Sequence, residues 1–177
     1  MTATPVPHVF IAGEVATAAN VNTFGTAINF LKTPPIFEAN QTVAQSFATG
    51  SAPTTGLTFT TEVVDSANGH STSTNTSRYT AVYPGWYEAG GGVAFAANTT
   101  GSRGCDFAVN GTALNGTHAW VPANGSGYTA VPARLKKFFL AVTDFAENWA
   151  SQTSGGSLST SVTSIEQPSF SLKWISD

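Results

Sequence analysis

Residues 78–111 limit the fold more than any other part of the chain, because apolar and polar residues alternate there through three successive runs. Tyr79, Ala81 and Tyr83 share one face of an extended segment, with Thr80 and Val82 on the other. Tyr87, Ala89, Val93, Phe95 and Ala97 then share a parity, and Arg103, Cys105, Phe107 and Val109 alternate against Gly104, Asp106 and Ala108. A period of two specifies half-buried strands, since a helix repeats every three to four residues. Pro84-Gly85, Asn98-Thr99-Thr100-Gly101 and Asn110-Gly111 are turn signals between and after the runs. The stretch is expected to form the central three-stranded meander of an antiparallel β domain.

The remaining pattern extends that domain. Residues 36–39, 43–47, 57–64, 118–121, 129–134, 137–142, 145–152, 158–162 and 170–175 read as short strands, with 50–55 as a loop and 65–70 as a turn. No helix separates them, so no parallel sheet is expected. The fold class is all-β: an antiparallel jelly-roll sandwich of about eight to ten strands, preceded by a short arm and a helix. The arm, residues 1–16, is irregular. Thr17 caps a helix over 18–31, which Thr33-Pro34-Pro35 stops. Val21, Phe24, Ile28 and Leu31 are spaced by three, four and three, the seam of a two-heptad coiled coil. So short a helix is marginal alone. Its stripe either packs on its own β domain or associates with other copies around an axis. The chain divides into an arm and seam helix, 1–35, and a head domain, 36–177.

Composition narrows the function. Hydrophobic residues make up 41% of the 177, enough for a core, whereas charged residues are only 10%. A net charge of −3 provides no field for phosphates, which argues against nucleic acid as a partner. No apolar run is long enough for membrane insertion. The N-terminus has no basic region ahead of an apolar stretch, so synthesis in a cytosol is expected, and the Asn-x-Ser/Thr sequences at Asn40, Asn75, Asn98, Asn110, Asn115 and Asn124 are read as turns. Cys105 is the single cysteine and falls at inward parity, a small core residue.

The residues that could carry chemistry do not assemble into a motif. His8, His70 and His118 are not at metal-ligand spacing, and Asp65-x-x-Asn68-Gly69 lacks the rest of a calcium loop. No metal and no cofactor are expected. Gly90-Gly91-Gly92 lies within a strand and signals a bulge, or a close backbone approach at the axis of a trimer, not a phosphate cradle. Glu88, Asp106, Asp144 and Glu147 are the acids available for glycan hydrolysis; Glu88 and Asp106 are placed on neighbouring strands at outward, solvated parity. No catalytic residue is assigned. Trp86, Trp149 and Trp174 suit core or interface positions, and Trp120, followed by a Gly/Asn/Ser-rich loop, is the candidate ligand contact.

From residue 57 onward the chain resembles the jelly roll shared by the complement-component-one-q globular heads and the tumour necrosis factors. The marks are Gly69-His70, Arg78-Tyr79-Thr80, Tyr83-Pro84-Gly85-Trp86-Tyr87, Asn110-Gly111, Trp149-Ala150-Ser151-Gln152 with Gly155-Gly156-Ser157-Leu158, and a last apolar strand over 170–175. Thr143-Asp144 stands where the family usually has Gly-Asp, which leaves the local turn type open. Ala12 to Asn22, with Phe30-Leu31, is similar to the N-terminal segment of virion proteins from tailed phages of actinobacteria. These resemblances imply a homotrimer extended along its axis by the seam helix. They further imply a non-enzymatic protein of the virion surface, joined to other virion proteins through its N-terminal segment. As a minor tail protein it would adhere to the host, with a cell-surface glycan as candidate partner. The alternatives are a capsid decoration or head-fibre protein, and a glycan-binding or glycan-degrading tail module.

Overall fold

The computed structural model describes residues 3–163 and 165–177. The Thr17 hydroxyl accepts from the Asn20 amide and starts helix α1 (Ala18–Lys32), and the Thr33 amide closes its last turn on Asn29 before the two prolines. The strands follow in order: β1 (Ile36–Asn40), β2 (Ser46–Phe47), β3 (Gly50–Gly56), β4 (Glu62–Asp65), β5 (Arg78–Thr80), β6 (Gly85–Phe95) and β7 (Ser102–Val109). Then come β8 (Thr112–Ala113), β9 (Ala119–Pro122), β10 (Thr129–Pro132), β11 (Lys136–Leu140), β12 (Phe145–Gln152), β13 (Leu158–Ser159) and β14 (Ser169–Ser176). Ten of these have four residues or more, in line with the expected eight to ten.

Two antiparallel sheets face each other. The first runs β4-β1-β14-β6, with β10 and β11 end to end along the far side of β6. The second is built on β12, flanked by β3 and β5 on one side and β7 on the other, with β8 and β9 beyond β7. This is the jelly-roll sandwich. The expected central meander is absent, because β5, β6 and β7 do not pair with one another: β6 belongs to the first sheet, β5 and β7 to the second. Alternation identifies a strand and its buried face but not its neighbour, and the turns from β5 to β6 and from β6 to β7 each carry the chain across the sandwich. Two local readings also change. Residues 50–55 lie in β3 and not in a loop, and only the end of 57–64 is ladder. Leu57 and Phe59 are nevertheless fully buried two residues apart, their amides donating to Asn148 O and Thr76 O.

The core is aromatic. Phe170 lies among Phe37, Phe107 and Phe59, at ring-centroid distances of 5.6, 5.9 and 6.2 Å. Asn148 of β12 crosses the interior: Nδ2 donates to Ser169 O (2.9 Å) and Gly92 O (3.3 Å) in the first sheet, while Oδ1 faces Cys105 Sγ at 3.1 Å. The close approach expected at the triple glycine is therefore made inside the protomer. A Cβ on Gly91 would lie 2.3 Å from Ser169 O. Arg103 is wholly buried at one end, its guanidinium donating to carbonyls of Asn98, Thr100 and Ser102.

The arm is more ordered than its composition suggests. Glu14 accepts from the Ile11 amide and the Asn20 side chain and lies 2.6 Å from His8 Nε2, while Phe10 stacks on Phe24. Residues 8–14 thus form a hook on the first half of α1.

The turn at Thr143-Asp144 keeps the left-handed conformation a glycine would favour, with Thr143 at φ 78°. The Thr143 amide donates to Ala81 O, the Ala81 amide to Asp144 O, and Asp144 Oδ2 accepts from Ala141. Those bonds hold a β-branched residue where it costs about 1–2 kcal/mol. Thr143→Gly is expected to stabilise the domain by about 0.5–1 kcal/mol after the glycine's own entropic cost, read as a higher urea midpoint at unchanged slope. Burial pushes the Cys105 thiol up to about 12. Because its folded value is raised, the thiolate is withheld at pH 8, and a thiol reagent is expected to label the native chain far more slowly than the urea-unfolded one.

Candidate functional site

The outward face of the second sheet carries the most elaborate polar arrangement on the molecule. Trp149 of β12 pairs with Asp106 of β7, and Gly104 of β7 pairs with Trp120 of β9. His118, just ahead of β9, reaches the same Asp106. The Asp106 carboxylate is buried; it accepts a short bond from Thr117 Oγ1 and lies 2.8 Å from His118 Nδ1. Thr117 Oγ1 in turn accepts from the Phe107 amide, which ties the turn before β9 to β7. With a carboxylate as its partner, His118 Nδ1 is the donor, so in the neutral ring Nε2 is left as the acceptor on a side chain that is 44% exposed.

The His118 ring stacks on Trp120 at 5.4 Å between centroids and 23° between planes. Trp120 is 37% exposed, and the edge of its ring rests where Gly104 has no side chain: a Cβ there would be 2.3 Å from Cε3 and Cζ3. The same Cβ would be 2.5 Å from Ser151 Oγ, a buried hydroxyl with no partner among the described residues. The two rings thus form a ledge, fixed below by Asp106 and beside β7 by a missing side chain.

Three of the four acids named from the sequence are engaged in structure. Glu147, named from the sequence only as an available acid, is buried; its Oε1 accepts from Ser77 Oγ (2.6 Å) and Arg78 Nε (3.3 Å), and its Oε2 from Trp149 Nε1 (3.0 Å). Asp144 accepts from Asn110 Nδ2 and the Ala141 amide in the turn. Glu88 and Asp106 are not neighbours: Glu88 lies on the first sheet, 3.7 Å from Lys137 Nζ, and Asp106 is buried on the second. The outward parity of Asp106 is observed, but Thr117 and His118 cover it from solvent. Among the described residues no three His, Cys, Asp or Glu side chains are placed to hold a metal. His70 is enclosed, with Nδ1 2.7 Å from Glu62 and Nε2 3.1 Å from Thr76 O; Asp65 closes its turn by accepting from the Ala67 and His70 amides.

The seam residues occupy a second surface. Val21, Ile28 and Leu31 are exposed, Leu31 at 65%, and Phe24 is partly covered by Phe10. The helix attaches to the head through a neighbouring stripe: Ala27 is buried, and Phe30 packs at 4.9 Å from Tyr83 and 4.8 Å from Trp174. Beside it, the outward face of the first sheet exposes Ile36, Trp86, Phe139, Leu135 and Ile175. Trp86 and Phe139 meet edge to face at 6.1 Å, and Lys137, Glu88 and Lys173 cross this face in one cross-strand row. Leu31, Pro34, Lys173, Trp174 and Ile175 line one shallow depression of about 230 Å³. The seam and the sheet face therefore adjoin.

Of the residues named from sequence, Trp149 and Trp174 are buried while Trp86 and Trp120 reach the surface. His118 was not tied to Trp120 in the sequence; the signal was His-Ala-Trp at strand period, and its value depends on knowing that Gly-Cys-Asp lies opposite.

No known family model matches the sequence, and no curated protein is similar to it. Solved structures are. Murine APRIL crystallised at pH 5.0 superposes with a TM-score of 0.59 at 12% identity, over 80% of this chain and 98% of that one. The globular domain of zebrafish complement 1qA gives 0.50 at 15% identity, over 80% and 97%. Murine APRIL at pH 8.5 gives 0.56 at 13% identity, over 78% and 98%. The fold is that of the TNF-family and C1q heads. At these identities the likeness establishes the C1q/TNF-like sandwich and nothing finer.

Gly104→Ala is expected to drive the Trp120 ring off its ledge. The cost should be about 1–3 kcal/mol of stability by urea unfolding, with a changed near-ultraviolet circular dichroism band.

Proposed function

We propose that the chain is a non-enzymatic structural protein of a tailed phage particle. In this reading three copies associate through the first sheet and the seam helix, the N-terminal segment joins other virion proteins, and the heads are displayed as a minor tail protein that adheres to the host surface. The observation that carries the trimer is the continuity of two exposed apolar surfaces. Val21, Ile28 and Leu31 run into Ile175, Trp86 and Phe139 at the base of the head, and the protomer covers neither. A contiguous apolar patch of this kind marks an association surface, and a closed ring covers it in every copy. The C1q/TNF-like fold supports the same reading, and the crossing row of Lys137, Glu88 and Lys173 supplies both signs of charge for register.

The virion assignment is supported by the N-terminal similarity to phage proteins and by a surface poor in charge. The hook over 8–14 also exposes Val9 and Ile11 beside the helix, apolar groups suited to a particle partner. With the first sheets turned to the axis, the second sheets with Trp120 face outward. Three weak contacts on one trimer, and several trimers on one particle, then combine into firm attachment.

Light scattering on the purified chain is expected to give three times the 18.3 kDa monomer mass. Trp86→Glu with Phe139→Glu should reduce it to monomer with the head still folded, and an unaltered mass would remove the axis from the first sheet. Val21→Asp with Ile28→Asp should leave the head folded and lower incorporation into particles; immunogold labelling locates the wild-type chain on tail or shell.

A further inference from the structure

We propose that His118 and Trp120 form a binding ledge for a neutral pyranose unit of a surface glycan. The proposal deepens the adhesion reading, because it names the residues and ligand class through which an outward-facing head would hold a cell.

Three features point to this ligand. The Trp120 indole offers an apolar, polarisable surface held rigidly by its stack on His118 and by the space over Gly104. A ring pre-set in this way loses little conformational freedom on binding. Beside it, His118 Nε2 is an acceptor at the surface, because Asp106 fixes the proton on Nδ1. A pyranose presents both complements at once, a patch of C–H bonds for the indole and an adjacent hydroxyl to donate to the imidazole.

The third feature is electrostatic. Asp106 and Glu147, both buried beneath this face, leave no reason for an anionic ligand to settle there. Each is already bonded, Asp106 by Thr117 and His118 and Glu147 by Ser77, Arg78 and Trp149, so neither is presented to a cation. Ser151 Oγ, next to the ring, is a buried polar atom without a partner among the described residues.

Asp106 and Gly104 are positioning residues in this scheme. Trp120 and His118 touch the sugar.

The test follows the Trp120 indole N–H and the His118 ring C–H of the full chain by two-dimensional NMR. The titrants are the methyl glycosides of glucose, galactose, mannose, arabinose and N-acetylglucosamine, with tetramethylammonium as the cation control. At least one glycoside is expected to give saturable, millimolar shifts centred on these two residues. Trp120→Ala and His118→Ala should each weaken binding tenfold or more, whereas Trp120→Phe, which keeps a stacking ring, should stay within about threefold. Asp106→Asn should weaken it while retaining the fold, read from the amide spectrum.

Absence of saturable shifts with all five glycosides overturns the proposal. So does binding that survives Trp120→Ala, or saturation by tetramethylammonium alone. The trimer is judged separately, by mass: a trimer that binds no glycoside rejects only the ledge, and a monomer that binds one rejects only the axis. Polymer-displayed glycoside should bind the wild-type chain far more tightly than the Trp86→Glu, Phe139→Glu variant, although both should respond equally to the free sugar.

Discussion

Asn148 fixes the relation between the two sheets. It sits on the central strand of one and bonds two carbonyls of the other, in a region that is otherwise apolar. A buried amide left unpaired would be destabilising by several kcal/mol in a place that water does not reach, so the sheets have one separation and one register that satisfy it. Gly91 has no side chain because Ser169 O already occupies the space that side chain would need. The aromatic cluster around Phe170 fills the remainder, and with both inner faces occupied, what distinguishes this protein from other sandwiches lies on its two outer faces.

Those faces differ in kind. The first sheet turns out aromatic and aliphatic residues crossed by a thin band of charge; the second covers its own carboxylates with arginine, threonine, histidine and tryptophan. On the second sheet the middle strands are buried on both sides, their outer face covered by Ser77, Arg78, Thr117, His118 and Trp120 from the flanking strands and turns. That face is complete as it stands, whereas the first gains by being covered. Association through one and recognition through the other is the division of labour this asymmetry favours.

Much of the fold was legible in the sequence. The parity of Tyr79, Ala81, Tyr87, Ala89, Val93 and Phe95 names inward residues correctly, and Thr17 and Pro34 bound the helix within one residue of the observed ends. Strand partners were not legible, since alternation is indifferent to which edge a strand joins; hence the meander that proved to be two crossings between sheets. The ledge was half visible. Trp120 stands out as an aromatic before a polar loop, but His118 and Asp106 acquire meaning only when β9 is laid along β7. The docking role of Phe30 was not legible because a coiled-coil template selects the 21-24-28-31 stripe, and the residue that docks the helix lies on the adjacent one.

The sealed thiol at Cys105 bears on where such a chain can work. With no second cysteine to pair with and no route for an oxidant to the one it has, folding requires no oxidising compartment and no isomerase. Air and peroxide likewise find no sulfur handle by which to cross-link one copy to the next. A molecule built this way keeps the same covalent bonds in reducing and in oxidising surroundings.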